Sequence, residues 1–124
     1  GTDVTVVSYG AMMRDTQKAL ALAKKAGISV ELIDLRTIYP IDKETIMKSI
    51  KKTGRLVTVA EAPTTFGIGA EMMAIANEEA FLHLEAPPKR VTGFDTIFPL
   101  PQGEHHYLPS PEKIYYEIER TVKF

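Results

Sequence analysis

Between Val4 and Leu84 the chain three times runs a short β-branched stretch into a turn and then into an apolar pattern of helical period. The first unit is Val4-Thr5-Val6-Val7-Ser8, the turn Tyr9-Gly10, and then Ala11 to Ala26, where Met12, Thr16, Ala19, Leu20 and Ala23 share a face and Gly27 supplies a stop. The second is Val30 to Asp34, a connector through Pro40, Asp42 as N-cap, a helix with Ile46 and Ile50 on one face, and Gly54 at its end. The third is Leu56 to Ala60, the turn Glu61 to Gly67, and a helix from about Gly69 to Leu84 through Met72, Ile75, Ala76 and Ala80. This repetition predicts an α/β fold with a parallel sheet and right-handed crossovers.

The remainder of the chain closes the domain. Glu85-Ala86-Pro87-Pro88 is a break, and Arg90 to Gly93 reads as a fourth, short strand. Phe94 to Pro109 is irregular, with Pro99, Pro101, Gly103 and three aromatic residues, and a loop of that length in a compact domain is commonly functional. Ser110 and Pro111 read as N-cap and first helical position, with Ile114, Ile118 and Val122 on one face before Phe124. At 124 residues, 44% hydrophobic and 25% charged, the chain is expected to be one ordinary globular domain, residues 1–124. A glycine first residue so close to a core strand reads as a cut end, so a fragment of a longer protein is expected.

Composition excludes several chemistries. A net charge of −1, with basic residues spread along the chain, gives no electrostatic reason for a nucleic acid or anionic membrane partner. Without cysteine there are no disulfides, thiolate nucleophiles or cysteine metal sites, and an intracellular compartment fits best. No apolar run approaches the ~18 residues of a spanning helix.

The turn after the third strand is the candidate contact surface, because open α/β sheets bind at the carboxyl ends of their strands. Gly67-Ile68-Gly69 lacks the third glycine of a dinucleotide fingerprint and follows the wrong strand, so a packing turn is the better reading. Asp34 sits where a ribose-binding acid would, but Tyr9-Gly10-Ala11-Met12 offers no phosphate cradle. Glu61 has no histidine near it in sequence and reads as a cap or ion-pair partner. His105 and His106 point apart unless the loop bends, and His83 lies on a helix, so surface positions are expected for all three. The pairs Met12-Met13 and Met72-Met73 read as core and interface filler. Phe94, Asp95, Phe98 and Tyr107 form either an interface or a loop packed on its own core. Phe124 is a large apolar side chain at the end of the chain, where a free tail would be polar.

The turn EAPTTFGIGAE, the segment EEAFLHLEAPPKRVTGFDTIFP and YLPSPEKI, in this order, resemble the C-terminal domain of the beta subunit in thiamine-diphosphate-dependent 2-oxo acid dehydrogenases. The EEAF, LEAP and GFD-TIFP pieces favour the branched-chain enzymes over the pyruvate enzymes, with acetoin dehydrogenase a further alternative. The resemblance implies a three-layer α/β/α, transketolase C-terminal domain-like fold, a mostly parallel open sheet whose antiparallel edge strand would precede the residues present. It implies no catalytic residue in this segment. Gly67, Gly69, Glu71, Phe94, Asp95 and Phe98 are then candidate subunit-interface residues, and Phe124 a candidate docking residue. The implied partners are an alpha subunit, a second beta subunit and the peripheral subunit-binding domain of the acyltransferase core. Thiamine diphosphate and magnesium would belong to the holoenzyme, with none bound by this segment alone and no metal site in it. The location would be cytoplasmic, or the mitochondrial matrix in a eukaryote. From a different class, a free-standing α/β module binding a small anionic ligand near Gly10 and Gly67 remains open.

Overall fold

The computed structural model describes residues 1–124. Four parallel strands form one sheet in the order β2-β1-β3-β4, where β1 is Val4–Ser8, β2 Val30–Asp34, β3 Leu56–Val59 and β4 Lys89–Val91. Val6 stands beside Leu32 on one side and Val57 on the other, so β1 is interior and β2 is an edge with one neighbour. The chain steps from β1 outward to β2, then back across β1 to β3. Its direction reverses between the carboxyl ends of β1 and β3, the place where open α/β sheets leave a crevice.

Strand alternation divides the core in two. Val4, Val6, Val57, Val59 and Val91 point to one face and pack with Met12, Ala19 and Ala23 of α1 (Met12–Lys25), and with Ile114 and Ile118 of a C-terminal helix, Pro111–Val122. Val7 and Leu56 point to the other face, covered by Ile46, Met47 and Ile50 of α2 (Lys43–Thr53) and by Met72, Ile75 and Ala76 of α3 (Ile68–Ala80). Helices on both faces give three layers, as expected. Polar groups under α2 are satisfied locally, since the buried Thr5 hydroxyl lies 2.7 Å from Ser49 Oγ and 2.8 Å from Thr53 Oγ1.

The capping chemistry is in place. Asp42 accepts from the Thr45 backbone N–H at 3.0 Å, and Ser110 accepts from that of Lys113 at 3.2 Å, with Pro111 in the first helical turn. Gly69 faces the sheet beneath α3. A Cβ there would stand 2.7 Å from Thr58 Oγ1 and 3.4 Å from the Arg90 side chain, so a glycine is what lets α3 lie this close to β3 and β4.

Three boundaries differ from the sequence reading. The α3 pattern ends at Ala80 and tightens into a 3₁₀ turn, Phe81–His83, where Phe81 and Leu82 leave the apolar face and become exposed. The fourth strand ends at Val91, because Thr92 and Gly93 turn toward the β3 loop, where the Gly93 N–H donates to the Ala62 carbonyl. The stretch after Phe94 is not wholly irregular, since Glu104–Tyr107 makes a single helical turn, α4, ahead of α5 (Pro111–Val122).

Candidate functional site

The loops after β3 and β4 are stitched together before either presents anything outward. The Arg90 guanidinium donates to the Thr64 carbonyl at 2.8 Å, and the Thr64 and Thr92 hydroxyls lie 2.6 Å apart. Asp95 accepts from the Thr65 backbone N–H at 2.9 Å and from its hydroxyl at 2.6 Å. These two bonds hold the Asp95 carboxyl below its ordinary range. Its role is therefore a tie between two loops.

The tie presents Phe66. This residue lies in the left-handed region at φ 59° with its side chain fully exposed, an arrangement that costs a non-glycine residue about 1–2 kcal/mol and persists only where neighbours impose it. It is not isolated. Ile38 and Tyr39 after β2, Phe66 after β3, and Phe94, Ile97, Phe98 and Leu100 after β4 are all exposed at the carboxyl end of the sheet. Elsewhere the large exposed apolar side chains are Phe81, Leu82, Tyr116 and Phe124, all on helices or at their ends. An apolar groove of about 430 Å³, lined by Ile38, Tyr39, Pro40, Ile41 and Ile68 with Lys43 and Glu71 at its side, opens among the carboxyl-end loops.

Beside it, at the reversal between β1 and β3, lies a second cleft of about 540 Å³. Its walls are Tyr9, Glu61, Ala62, Pro63, Thr96, Phe98 and Tyr107. Tyr107 is buried with its ring over Gly93, where a Cβ would meet the ring at 2.3 Å. The Phe98 ring packs edge-on to Tyr107 at 4.9 Å and the Phe94 ring at 6.2 Å, while the Lys113 ammonium sits 4.8 Å above Phe94.

The sequence candidates separate in the structure. Phe94, Phe98 and Glu71 are exposed at this end, as a contact surface needs. Gly69 is buried against Thr58, so its place is internal packing and it has no face to offer a partner. Gly67 is the N-cap of α3 and half-buried. Tyr107 is a buried prop for the two phenylalanines. Glu61 is neither cap nor ion-pair partner, since it is exposed and makes no hydrogen bond or salt bridge within the chain. Asp34 pairs with Arg36 at 3.0 Å. His83, His105 and His106 are exposed, and no three histidines, aspartates or glutamates come close enough to hold a metal ion. Met12 and Met72 are core residues, with Met13 and Met73 half-buried beside them. The sequence reading missed Ile38, Tyr39, Phe66, Ile97 and Leu100.

The Glu61 cleft is not a diphosphate cradle. No basic side chain lines the Glu61 cleft, and neither Gly10 nor Gly67 contributes to its wall, which disfavours an anionic ligand there. Thiamine diphosphate does not fit this cleft, whose one charged side chain is a carboxylate.

Residues 1–114 match the family described as "Transketolase, C-terminal domain". The pyruvate dehydrogenase E1 component subunit beta of Acholeplasma laidlawii is 53% identical over 123 residues, covering 99% of this chain and 38% of that protein. The protein of the same name from Staphylococcus aureus is 45% identical over 124 residues, covering all of this chain and 38% of its own length. The chain thus spans a little over a third of these relatives. Among solved structures, a split-gene transketolase described as an inactive beta4 tetramer superimposes with a TM-score of 0.84 over 99% of this chain and 39% of that one, at 23% identity, which speaks to fold alone. The branched-chain preference read from EEAF, LEAP and GFD-TIFP is not supported, because these relatives carry the pyruvate name.

Proposed function

Since this chain belongs to the transketolase C-terminal domain family, we propose that it is the C-terminal part of the beta subunit of a 2-oxo acid dehydrogenase of the pyruvate type, and that it serves assembly. The substrate class rests on the 53% and 45% identical relatives. The assembly role rests on one observation, the gathering of Ile38, Tyr39, Phe66, Phe94, Ile97, Phe98 and Leu100 at a single end of the sheet. Apolar side chains clustered beyond what a lone surface carries mark a place where another protein sits. In this reading that protein is an alpha subunit or a second beta subunit, and decarboxylation on thiamine diphosphate with magnesium takes place in parts of the enzyme outside these residues.

Replacing Phe66 and Ile97 together by serine tests the role. Both side chains are exposed and neither packs in a core cluster, so folding stability should stay within about 0.5 kcal/mol while assembly with the partner subunit, measured by sedimentation, weakens at least tenfold. Unchanged assembly would sink the proposal. Phe124, exposed beyond the end of α5, is proposed separately as a contact for the peripheral subunit-binding domain of an acyltransferase core.

A further inference from the structure

Four residues with polar side chains meet in the cleft between the carboxyl ends of β1 and β3. The Tyr9 hydroxyl, the Glu61 carboxylate, the Thr96 hydroxyl and the Tyr107 hydroxyl all line it, and none has a hydrogen-bond partner within the chain. Many hydroxyls elsewhere are paired, while those of the exposed Tyr39 and Tyr116 have no partner in the chain either. Thr5, Thr16, Ser49, Thr53, Thr64, Thr65, Thr92 and Thr121 all have side-chain hydrogen bonds, and the Tyr115 hydroxyl donates to Glu119.

We propose that this cleft receives a guanidinium side chain from a partner polypeptide. Glu61 is the only charged group in the wall, so the complementary charge is positive. Three of the other six lining residues are the aromatic Tyr9, Phe98 and Tyr107, whose rings suit a planar cation. Three hydroxyls and a carboxylate accept the five N–H donors that a guanidinium offers, and a carboxylate takes two of them side by side. The same loop already seats a cation on an aromatic ring, where Lys113 lies over Phe94. Burial and the neighbouring Glu61 charge both raise the Tyr9 hydroxyl above its ordinary pKa, so it remains a neutral phenol at physiological pH. The position within the apolar end of the sheet is why a protein side chain, rather than a free cation, is the occupant; to that extent the inference rests on the assembly role proposed above.

The test titrates the 124-residue chain with the blocked tripeptide acetyl-Gly-Arg-Gly-amide, following the ring resonances of Tyr9 and Tyr107, with the citrulline tripeptide as the uncharged match. The arginine peptide should bind saturably in the millimolar range and the citrulline peptide at least tenfold more weakly. Glu61→Gln and Phe98→Ala should each weaken arginine binding tenfold or more, while Glu112→Gln, an exposed acid at the start of α5, should leave it unchanged. Equal binding of citrulline, indifference to Glu61→Gln, or saturable binding of inorganic phosphate at these rings would overturn the proposal. Failure of the assembly role reads out separately, as normal association of the Phe66 and Ile97 variant.

Discussion

At the amino end of the sheet the strand entries are held by ion pairs; at the carboxyl end the loops after β2, β3 and β4 carry most of the exposed large apolar side chains. At the amino end Glu31 accepts from Lys52 at 2.8 Å, a contact that holds its carboxyl below the usual range. Arg55 meets Glu85 at 2.7 Å, and the Glu85 N–H donates to the Gly54 carbonyl, which fastens the entries to β3 and β4. At the opposite end, loop-to-loop hydrogen bonds fix the shape while Phe66, Ile97, Leu100 and Glu61 face outward unused. The difference teaches that the amino end holds its strand entries by pairing charges within the chain, while the carboxyl end leaves an apolar surface open.

The comparison breaks most readily at Gly93. A Cβ at this position would lie 2.3 Å from the Tyr107 ring, so Gly93→Ala should cost about 1–3 kcal/mol in chemical denaturation and unseat the Phe94 and Phe98 rings. A loss under about 0.5 kcal/mol would mean that Tyr107 yields without resistance and the cleft has no fixed wall.

A smaller effect is expected at the amino end, where α5 delivers Phe124, 78% exposed. Deleting Phe124 should weaken binding to a subunit-binding domain in calorimetry by about tenfold and leave the thermal midpoint nearly unchanged. A fall in midpoint with binding intact would instead make Phe124 part of the fold.

The smallest effect is a pH dependence in the tie between loops. The Asp95 carboxyl is depressed by its bonds to Thr65, so the tie is fully present above the unfolded value of about 3.9 and is lost as pH falls through the lower folded value. The Thr65 amide resonance should titrate with a midpoint below that of a free aspartate, and Asp95→Asn should abolish the transition. A midpoint at the ordinary value would show that the carboxylate gains nothing from the tie.

Much of the scaffold is written in local chemistry. The strands are β-branched runs bounded by turn residues, and the caps at Asp42 and Ser110 bond to the third residue onward, as their residue types dictate. The α4 turn escaped because four residues carry no helical period. The site was half visible. Phe94, Asp95 and Phe98 stood out as aromatic and charged residues in a long loop, but Phe66, Ile97 and Leu100 read as ordinary apolar residues, since nothing in a sequence states that a phenylalanine faces water. Gly69 misled for the converse reason. Its sequence context is a contact loop, and only the depth of Thr58 beneath it shows that the close approach is internal.

The strand order bears on how the chain reaches this shape. β1 precedes the other three strands in sequence but lies inside, and the hydroxyl of Thr5 closes on that of Thr53, 48 positions later, so the middle of the sheet forms only after the intervening chain has been gathered. Pairings that span such distances close slowly because the intervening loop must lose its freedom before any contact rewards it. During that interval the valines of β1 have α1 as their only sequence-local cover. The rate at which this protein folds is therefore expected to be set by the meeting of β1 and β3, and destabilising changes in α5, which packs on that pair from the end of the chain, to act mainly on unfolding.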